Sequence, residues 1–142
     1  MNRTPIYAAL IAALGALKDN GTVKAVRRPT TGQDFVMPPV LPCCLIIGDK
    51  ESVRQRRGLP PQHELMIDVH LHANVGKAEA PADRLDAMLG AIEAVLAPAP
   101  GQDTQTLGGA VHHCWIEGDI ERFELLPDQR CLAIVPVHIL VP

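Results

Sequence analysis

Six histidines and four cysteines are the side chains of this 142-residue chain that could bind a metal or react with a substrate. Four of them fall on segments that could be neighbours in a sheet: His112, His113, Cys114 and His138. His70 and His72 alternate within "ELMIDVHLHA", so a strand there would direct both imidazoles to one face. A zinc site needs three or four convergent ligands, and the chain contains neither H-E-x-x-H nor C-x-x-C. We therefore expect half-buried histidines on an outward sheet face and no metal, with a metal-binding protein using His70, His72 and His112 as the alternative.

Nucleophilic catalysis finds little support in the residue spacing. Cys114 follows His113 directly, and adjacent residues of a strand point to opposite faces of a sheet. Ser52 is the only serine, and no G-x-S-x-G sequence surrounds it. The four cysteines lack the regular spacing of a disulfide scaffold, so we expect reduced, mostly buried thiols. The sequence thus predicts no catalytic residues, no cofactor and no enzyme activity.

Arginine is concentrated in one polar stretch, "DKESVRQRRGLPPQH", which we interpret as an exposed loop at about residues 49–63. Arg54, Arg56 and Arg57 lie there, and Arg27 and Arg28 could join them. A solvated loop would explain this cluster, and contact with an acidic partner surface or with passing DNA phosphates is the alternative. The formal net charge is −3, so no general basic field attracts the protein to nucleic acid or to a membrane.

The composition predicts one domain, residues 1–142, with an aliphatic core. Apolar residues make up 47% of the chain and aromatic residues only 3%, which leaves few rings for stacking on bases or sugars. No span reaches the roughly 18 apolar residues of a membrane helix, and no membrane partner is expected. The apolar run Pro5–Leu17 imitates a signal peptide, but Thr4 as N-cap and Asn20-Gly21 as a stop favour a helix of the mature protein.

Hydrophobic periodicity indicates the remaining elements. In "ELMIDVHLHA" the alternation places Leu65, Ile67, Val69 and Leu71 on a buried face and Asp68, His70 and His72 on a wet face. Pro136 should sit at an edge or a bulge of the last strand. The predicted fold class is α+β, a mostly antiparallel sheet with two helices packed on one face. Its further elements are a short strand at Thr22–Arg28, a strand at Leu41–Ile47, a helix at Pro81–Leu96, and strands at Val111–Glu117, Ile120–Leu126 and Arg130–Val141.

The glycine pair Gly108-Gly109 superficially suggests a phosphate-binding loop. No lysine or hydroxyl residue follows at the spacing that such a loop requires. We expect instead a tight turn with positive φ angles that leads into the next strand.

The order of these segments resembles the tail terminator proteins of long-tailed bacteriophages and prophages. The likeness covers nearly the full chain and is strongest at Thr106-Leu107-Gly108-Gly109, between the second helix and the next strand, with an acid-Gly turn at Glu117-Gly118. The other segments that carry it are the N-terminal helix, "MPPVLPCCLII", "LMIDVHLHA", "ADRLDAMLGAIEAVL", "TLGGAVHHCWIEG" and the closing strand "CLAIVPVHILV".

This resemblance implies a structural protein of the virion tail, assembled in the host cytoplasm. Such a protein forms a ring, usually of six copies, that caps the tail tube, ends polymerisation of the major tail tube protein and offers a joining surface to the head-tail connector or head completion protein. DNA would pass through its lumen without sequence-specific contact. By position, the loop with Arg54, Arg56 and Arg57 would dock on a partner or face the lumen. Another head-tail connector or tail completion protein is the alternative within the same class.

Overall fold

The structure, a computed structural model, describes residues 1–141 apart from the side chains of Phe35 and Val36. It confirms the α+β class, with a mostly antiparallel sheet of six strands. Within residues 1–141, none of the helices combines the length and apolar character needed to cross a bilayer. The elements are α1 (Thr4–Leu14), α2 (Ala16–Asp19), β1 (Ala25–Arg27), α3 (Gly32–Val36), β2 (Cys43–Arg54), β3 (Gln62–Asn74), α4 (Pro81–Leu96), β4 (His113–Ile116), β5 (Glu121–Leu126), a 3-10 turn (Pro127–Gln129) and β6 (Arg130–Val141).

The sheet is organised around the pairing of β3 with β6. These strands run antiparallel from His63 opposite Val141 to Asn74 opposite Arg130. β2 pairs with the other edge of β3, and β1 adds to β2 as a parallel strand. On the far side of β6, β5 pairs with its first half and β4 with its second half. The order across the sheet is therefore β1-β2-β3-β6-β4, with β5 beside β4 on the same edge.

The core lies between one sheet face and the two long helices. Alternate residues of β3, from Leu65 to Ala73, are buried, as are alternate residues of β6 from Cys131 to Val141. Against them pack the apolar stripes of α1, with Leu10 and Leu14, and of α4. Since aromatic rings are scarce, branched aliphatic side chains fill almost all of this space.

The structure corrects the predicted N-terminal helix in two details. Arg3 occupies the N-cap and Thr4 is already helical, without a side-chain capping bond. The helix is interrupted at Gly15, which separates α1 from α2. The predicted stop is confirmed at Gly21, whose φ of 83° requires the left-handed conformation that glycine tolerates.

The segment predicted as a loop at about 49–63 is exposed, but most of it is not a loop. β2 continues to Arg54 and β3 begins at Gln62, so the two strands form a hairpin and only residues 55–61 connect them. The polar composition concealed this extension, because both faces of the hairpin are in water and no hydrophobic alternation is needed. We call the exposed hairpin, residues 50–62, the arm.

The helix at Pro81–Leu96 and the strand at Arg130–Val141 have the predicted bounds. The strands predicted at Thr22–Arg28, Val111–Glu117 and Ile120–Leu126 are real but shorter. Periodicity located these three strands, whereas hydrogen-bond partners decide where each ends.

Pro136 lies where the neighbour of β6 changes from β5 to β4. Its carbonyl accepts a hydrogen bond from Glu117 N at 3.3 Å. The carbonyl and the amide position of one strand residue point to the same side, so the missing N–H faces this junction and not β3. The prediction of an edge or bulge position is therefore wrong, because Pro136 lies in the interior strand β6 opposite Asp68, and the gap between β5 and β4 is what accommodates its missing N–H. Gly118, with φ 115°, packs here, and a Cβ at Gly118 would lie 3.2 Å from Pro136 Cγ.

Replacement of Gly118 by alanine should lower the free energy of unfolding by about 1–3 kcal/mol, because it adds backbone strain to a close contact. The matched change Gly90→Ala, in α4 with open space around the new Cβ, should raise it by up to about 1 kcal/mol. Urea denaturation of both variants measures the difference. Equal midpoints for the two variants would show that the Gly118 contact is not needed.

Candidate functional site

The sheet face that carries no long helix is the main candidate surface, and we call it the open face. On β6 it presents five residues that are only half-buried, in strict alternation with the core residues: Leu132, Ile134, Pro136, His138 and Leu140. Phe123, opposite Leu132, is 42% exposed. Apart from His138, the side chains of this strip are apolar, and they remain partly in contact with water.

One end of the open face is covered, and this overturns the predicted wet side of β3. His70 and His72 retain only 2% and 3% exposure, and Cys43 and Leu45, their partners on β2, are also buried. The alternation was assigned correctly, but the face is not wet at this end. A sheet face stays in water only if no other segment covers it, and periodicity carries no information on that point.

At this covered end Arg27, the last residue of β1 and the partner of Leu45, forms an ion pair with the segment that joins β1 to β2, residues 28–42. Its Asp34 is 7% exposed and accepts hydrogen bonds from Arg27 Nη1 at 2.9 Å, Thr30 N at 3.0 Å and Thr30 Oγ1 at 3.1 Å. The bond from the Arg27 guanidinium is the main reason why the pKa of Asp34 falls well below its usual range. The charges of Arg27 and Asp34 both act on the pKa of the Cys43 thiol, which places the segment beside that residue. We call this arrangement the clasp.

Burial in the covered end lowers the pKa of both His70 and His72 to about 4. Within the described residues, His72 Nε2 has no hydrogen-bond partner. The two imidazoles are therefore neutral at physiological pH and serve as packing groups.

The four cysteines are buried and free. Burial raises the pKa of Cys43 to about 11 and the pKa of Cys44 and Cys114 to about 12. At neutral pH they are thiols, which are poor nucleophiles.

At the opposite end, the open face carries a stack of three rings. His113 and Trp115 have ring centroids 4.9 Å apart with an interplanar angle of 15°, and Trp115 lies 5.4 Å from His138 at 25°. His138 Nδ1 is 3.2 Å from Glu64 Oε1. Beside the stack is a groove of about 460 Å³, which lies between Trp115, Glu64 and residues 52–54 of the arm. The ring stack was not predicted from the sequence, although the alternation of His113 with Trp115 indicated that both rings lie on one face of the strand.

The arm projects from the same end of the sheet. Every residue from Gly48 to Pro61 is exposed. Its root is tied to α1, because Arg3 forms a two-point ion pair with Glu51, in which Nη2 and Oε2 are 2.8 Å apart. Arg54 lines the groove, whereas Arg56 and Arg57 lie in the turn.

The structure does not bring Arg27 and Arg28 to the arginines of the arm. Arg27 sits opposite Leu45 on β2 and belongs to the clasp. The Arg28 guanidinium lies 3.9 Å from the centre of the Tyr7 ring, a cation–π contact. Arg27 and Arg28 thus have partners within the chain, Asp34 and Tyr7, and their predicted role in contact with a partner or the lumen stays a prediction.

The glycine pair adopts the predicted turn. Gly108 and Gly109 have φ angles of 74° and 93°, and the N–H groups of Gly109 and Val111 bond to Thr106 O at 3.1 Å. His112 is exposed at the start of β4, and among the described residues no group of three His, Cys, Asp or Glu side chains is placed to hold a metal ion.

Comparison with known families gives no matching family model, and comparison with curated protein sequences gives no match.

Loss of the clasp should expose Cys43. We expect Asp34→Ala to lower the free energy of unfolding by about 1–3 kcal/mol, since three donors lose a buried acceptor. The same change should speed the modification of Cys43 by a thiol reagent. Peptide mass spectrometry measures the labelling. Gln33→Ala, an exposed change in the same short helix, should leave both quantities unchanged; slow labelling of Cys43 in both variants would contradict a role for the clasp.

The buried histidines should make the protein less stable in mild acid. Folding lowers the pKa of both imidazoles from the usual 6.5 to about 4. Between about pH 6.5 and pH 4 the unfolded chain therefore binds more protons than the folded chain. The free energy of unfolding falls as the pH decreases through this window. Each pKa unit of depression corresponds to about 1.4 kcal/mol. In urea titrations at several pH values, His72→Leu should flatten this dependence. His112→Gln, at an exposed position, should retain it, and an unchanged slope in the His72 variant would refute the assignment.

Proposed function

We propose that this protein is a structural subunit of a bacteriophage or prophage tail that assembles with copies of itself into a ring. The ring caps the tail tube, ends polymerisation of the tube protein and provides the surface that joins the head connector. Support comes from the segment order that resembles tail terminator proteins and from the kind of surface that the fold leaves available.

The observation that carries the proposal is the combination of an open face with a projecting arm. The half-buried strip on β6, with Phe123 beside it, offers apolar contact area. The arm lies outside the core and is held at its root by the Arg3–Glu51 ion pair. Two different surfaces on one subunit suit a head-to-tail contact, and repeated head-to-tail contacts close into a ring when the rotation between subunits permits it.

The reactive side chains support an architectural role over a chemical one. Buried thiols with raised pKa values and neutral, buried imidazoles contribute to packing and are not placed to attack a substrate. The stacked rings at Trp115 form a flat, partly wet surface of the type that is common at protein interfaces.

A ring with this role would have three partners. Neighbouring copies of the chain, in a homohexamer, use the sides of the subunit; the major tail tube protein and the head-tail connector meet the two ends. Genome passage through the lumen would be accompanied by non-specific phosphate contacts only.

Electron microscopy of tails made without this protein tests the proposal. In a phage or prophage that encodes the chain, deletion of the gene should give tubes of uncontrolled length, and expression of the parent protein in trans should restore the normal length. Gly90→Ala, which alters neither the open face nor the arm, should restore it equally. Tubes of normal length that fail to join heads would instead indicate a connector or completion protein, and tails unaffected by deletion would reject a tail function.

A further inference from the structure

We propose that the arm of one copy docks on the acidic part of the open face of a second copy. This names the contact between ring subunits and in that respect rests on the proposed function. The proposal follows from two surfaces of the chain, the arm and the acidic part of the open face, which are complementary in charge and in apolar character. One chain cannot bring its own arm and its own open face together.

The arm is cationic and unpaired at its end. From Ser52 to Gln62 it contains three arginines and no acidic residue, and its one carboxylate, Glu51, is paired with Arg3. Within residues 1–141, no carboxylate lies within ion-pair distance of Arg54, Arg56 or Arg57. Two apolar side chains accompany these charges, because Val53 is 58% and Leu59 51% exposed. A peptide surface of this kind suits a partner that offers carboxylates beside apolar area.

The open face offers such a surface around the middle of β6. Asp68 on β3 lies opposite Pro136, and Glu121 on β5 lies opposite Ile134, so two carboxylates flank an apolar strip. Asp49 adds a third negative charge at the irregularity of β2. Burial, followed by the charges of Asp49 and Glu121, raises the pKa of Asp68, so each of these two carboxylates lies close enough to act on Asp68, while Lys50 acts in the opposite direction. Bound guanidinium groups would relieve this repulsion.

The arm cannot reach this surface on its own chain. Asp68 pairs with Ile47, whereas the arm stays hydrogen-bonded as far as Arg54 opposite Gln62. At about 3.3 Å per residue, the arginines of the turn lie roughly 20 Å or more along the strand from Asp68. A hairpin with paired strands does not fold back over such a distance, so a second copy has to supply the arm. The contact is heterologous and can continue from subunit to subunit.

Charge reversal on the two surfaces tests the docking, with association measured by sedimentation velocity at low and high salt. The parent protein should associate more strongly at low salt. Arg56→Glu with Arg57→Glu should weaken association by about tenfold or more, and so should Asp49→Lys with Glu121→Lys. All four positions are exposed, so neither change removes a core contact. The matched control, Lys18→Glu with Lys24→Glu, alters two exposed lysines outside both surfaces and should associate like the parent.

A mixture of the two reversed variants provides the decisive comparison. Each supplies the surface that the other lacks, so the mixture should associate like the parent while each variant alone does not. A parent that stays monomeric at every concentration, or reversed variants that associate like the parent, would overturn the docking. Retained self-association together with lost binding of duplex DNA in the arginine variant would also overturn it and would identify the arm as a nucleic-acid contact.

The outcomes separate this inference from the proposed function. Charge-dependent association in a protein that does not control tube length would leave the docking intact and reject the tail role. A protein that controls tube length but associates equally well with and without these charges would support the tail role and reject the docking.

Discussion

The pairing of β3 with β6 is the constraint on which the rest of the structure depends. These two strands are the longest uninterrupted partners in the described part of the chain, and their alternation decides which side of the sheet every neighbouring residue occupies. A shift of the register by one residue would transfer the buried aliphatic set to the other face, so the large apolar burial of Leu65, Val69 and their neighbours fixes the register. β2 pairs with β3 on one side, with a register shift between Gly48 and Lys50, and β4 and β5 pair with β6 on the other.

Once that register is fixed, the open face acquires three distinct regions. The clasp lies beside Cys43 at the end with His70 and His72, the ring stack of Trp115 occupies the opposite end, and the carboxylates of Asp68 and Glu121 lie between them. The same hairpin that contributes β2 and β3 to the core continues past the sheet as the arm. A single ladder therefore positions both surfaces through which we propose that copies of the chain meet.

Much of this fold was accessible from local patterns. The helix Pro81–Leu96 and the strand Arg130–Val141 were predicted with the bounds that the structure has, because each carries a strong periodicity and clear terminators. The turn at Gly108-Gly109 was predicted from its residue types, because glycine is the residue that adopts positive φ without strain. The arm was predicted only as exposed chain, because strand pairing without burial leaves no hydrophobic pattern.

The candidate surfaces depended on tertiary contacts to a greater extent. The sequence by itself determined an aliphatic α+β domain, the buried faces of its main strands and the arginine-rich exposed segment, since each follows from spacing along the chain. Only the tertiary structure decided that Arg27 and Arg28 bind Asp34 and Tyr7 instead of joining the arm, that His70 and His72 are covered, and that Trp115 stacks on His138. The physical reason is that periodicity specifies which face a side chain occupies, whereas what lies against that face depends on segments distant in sequence.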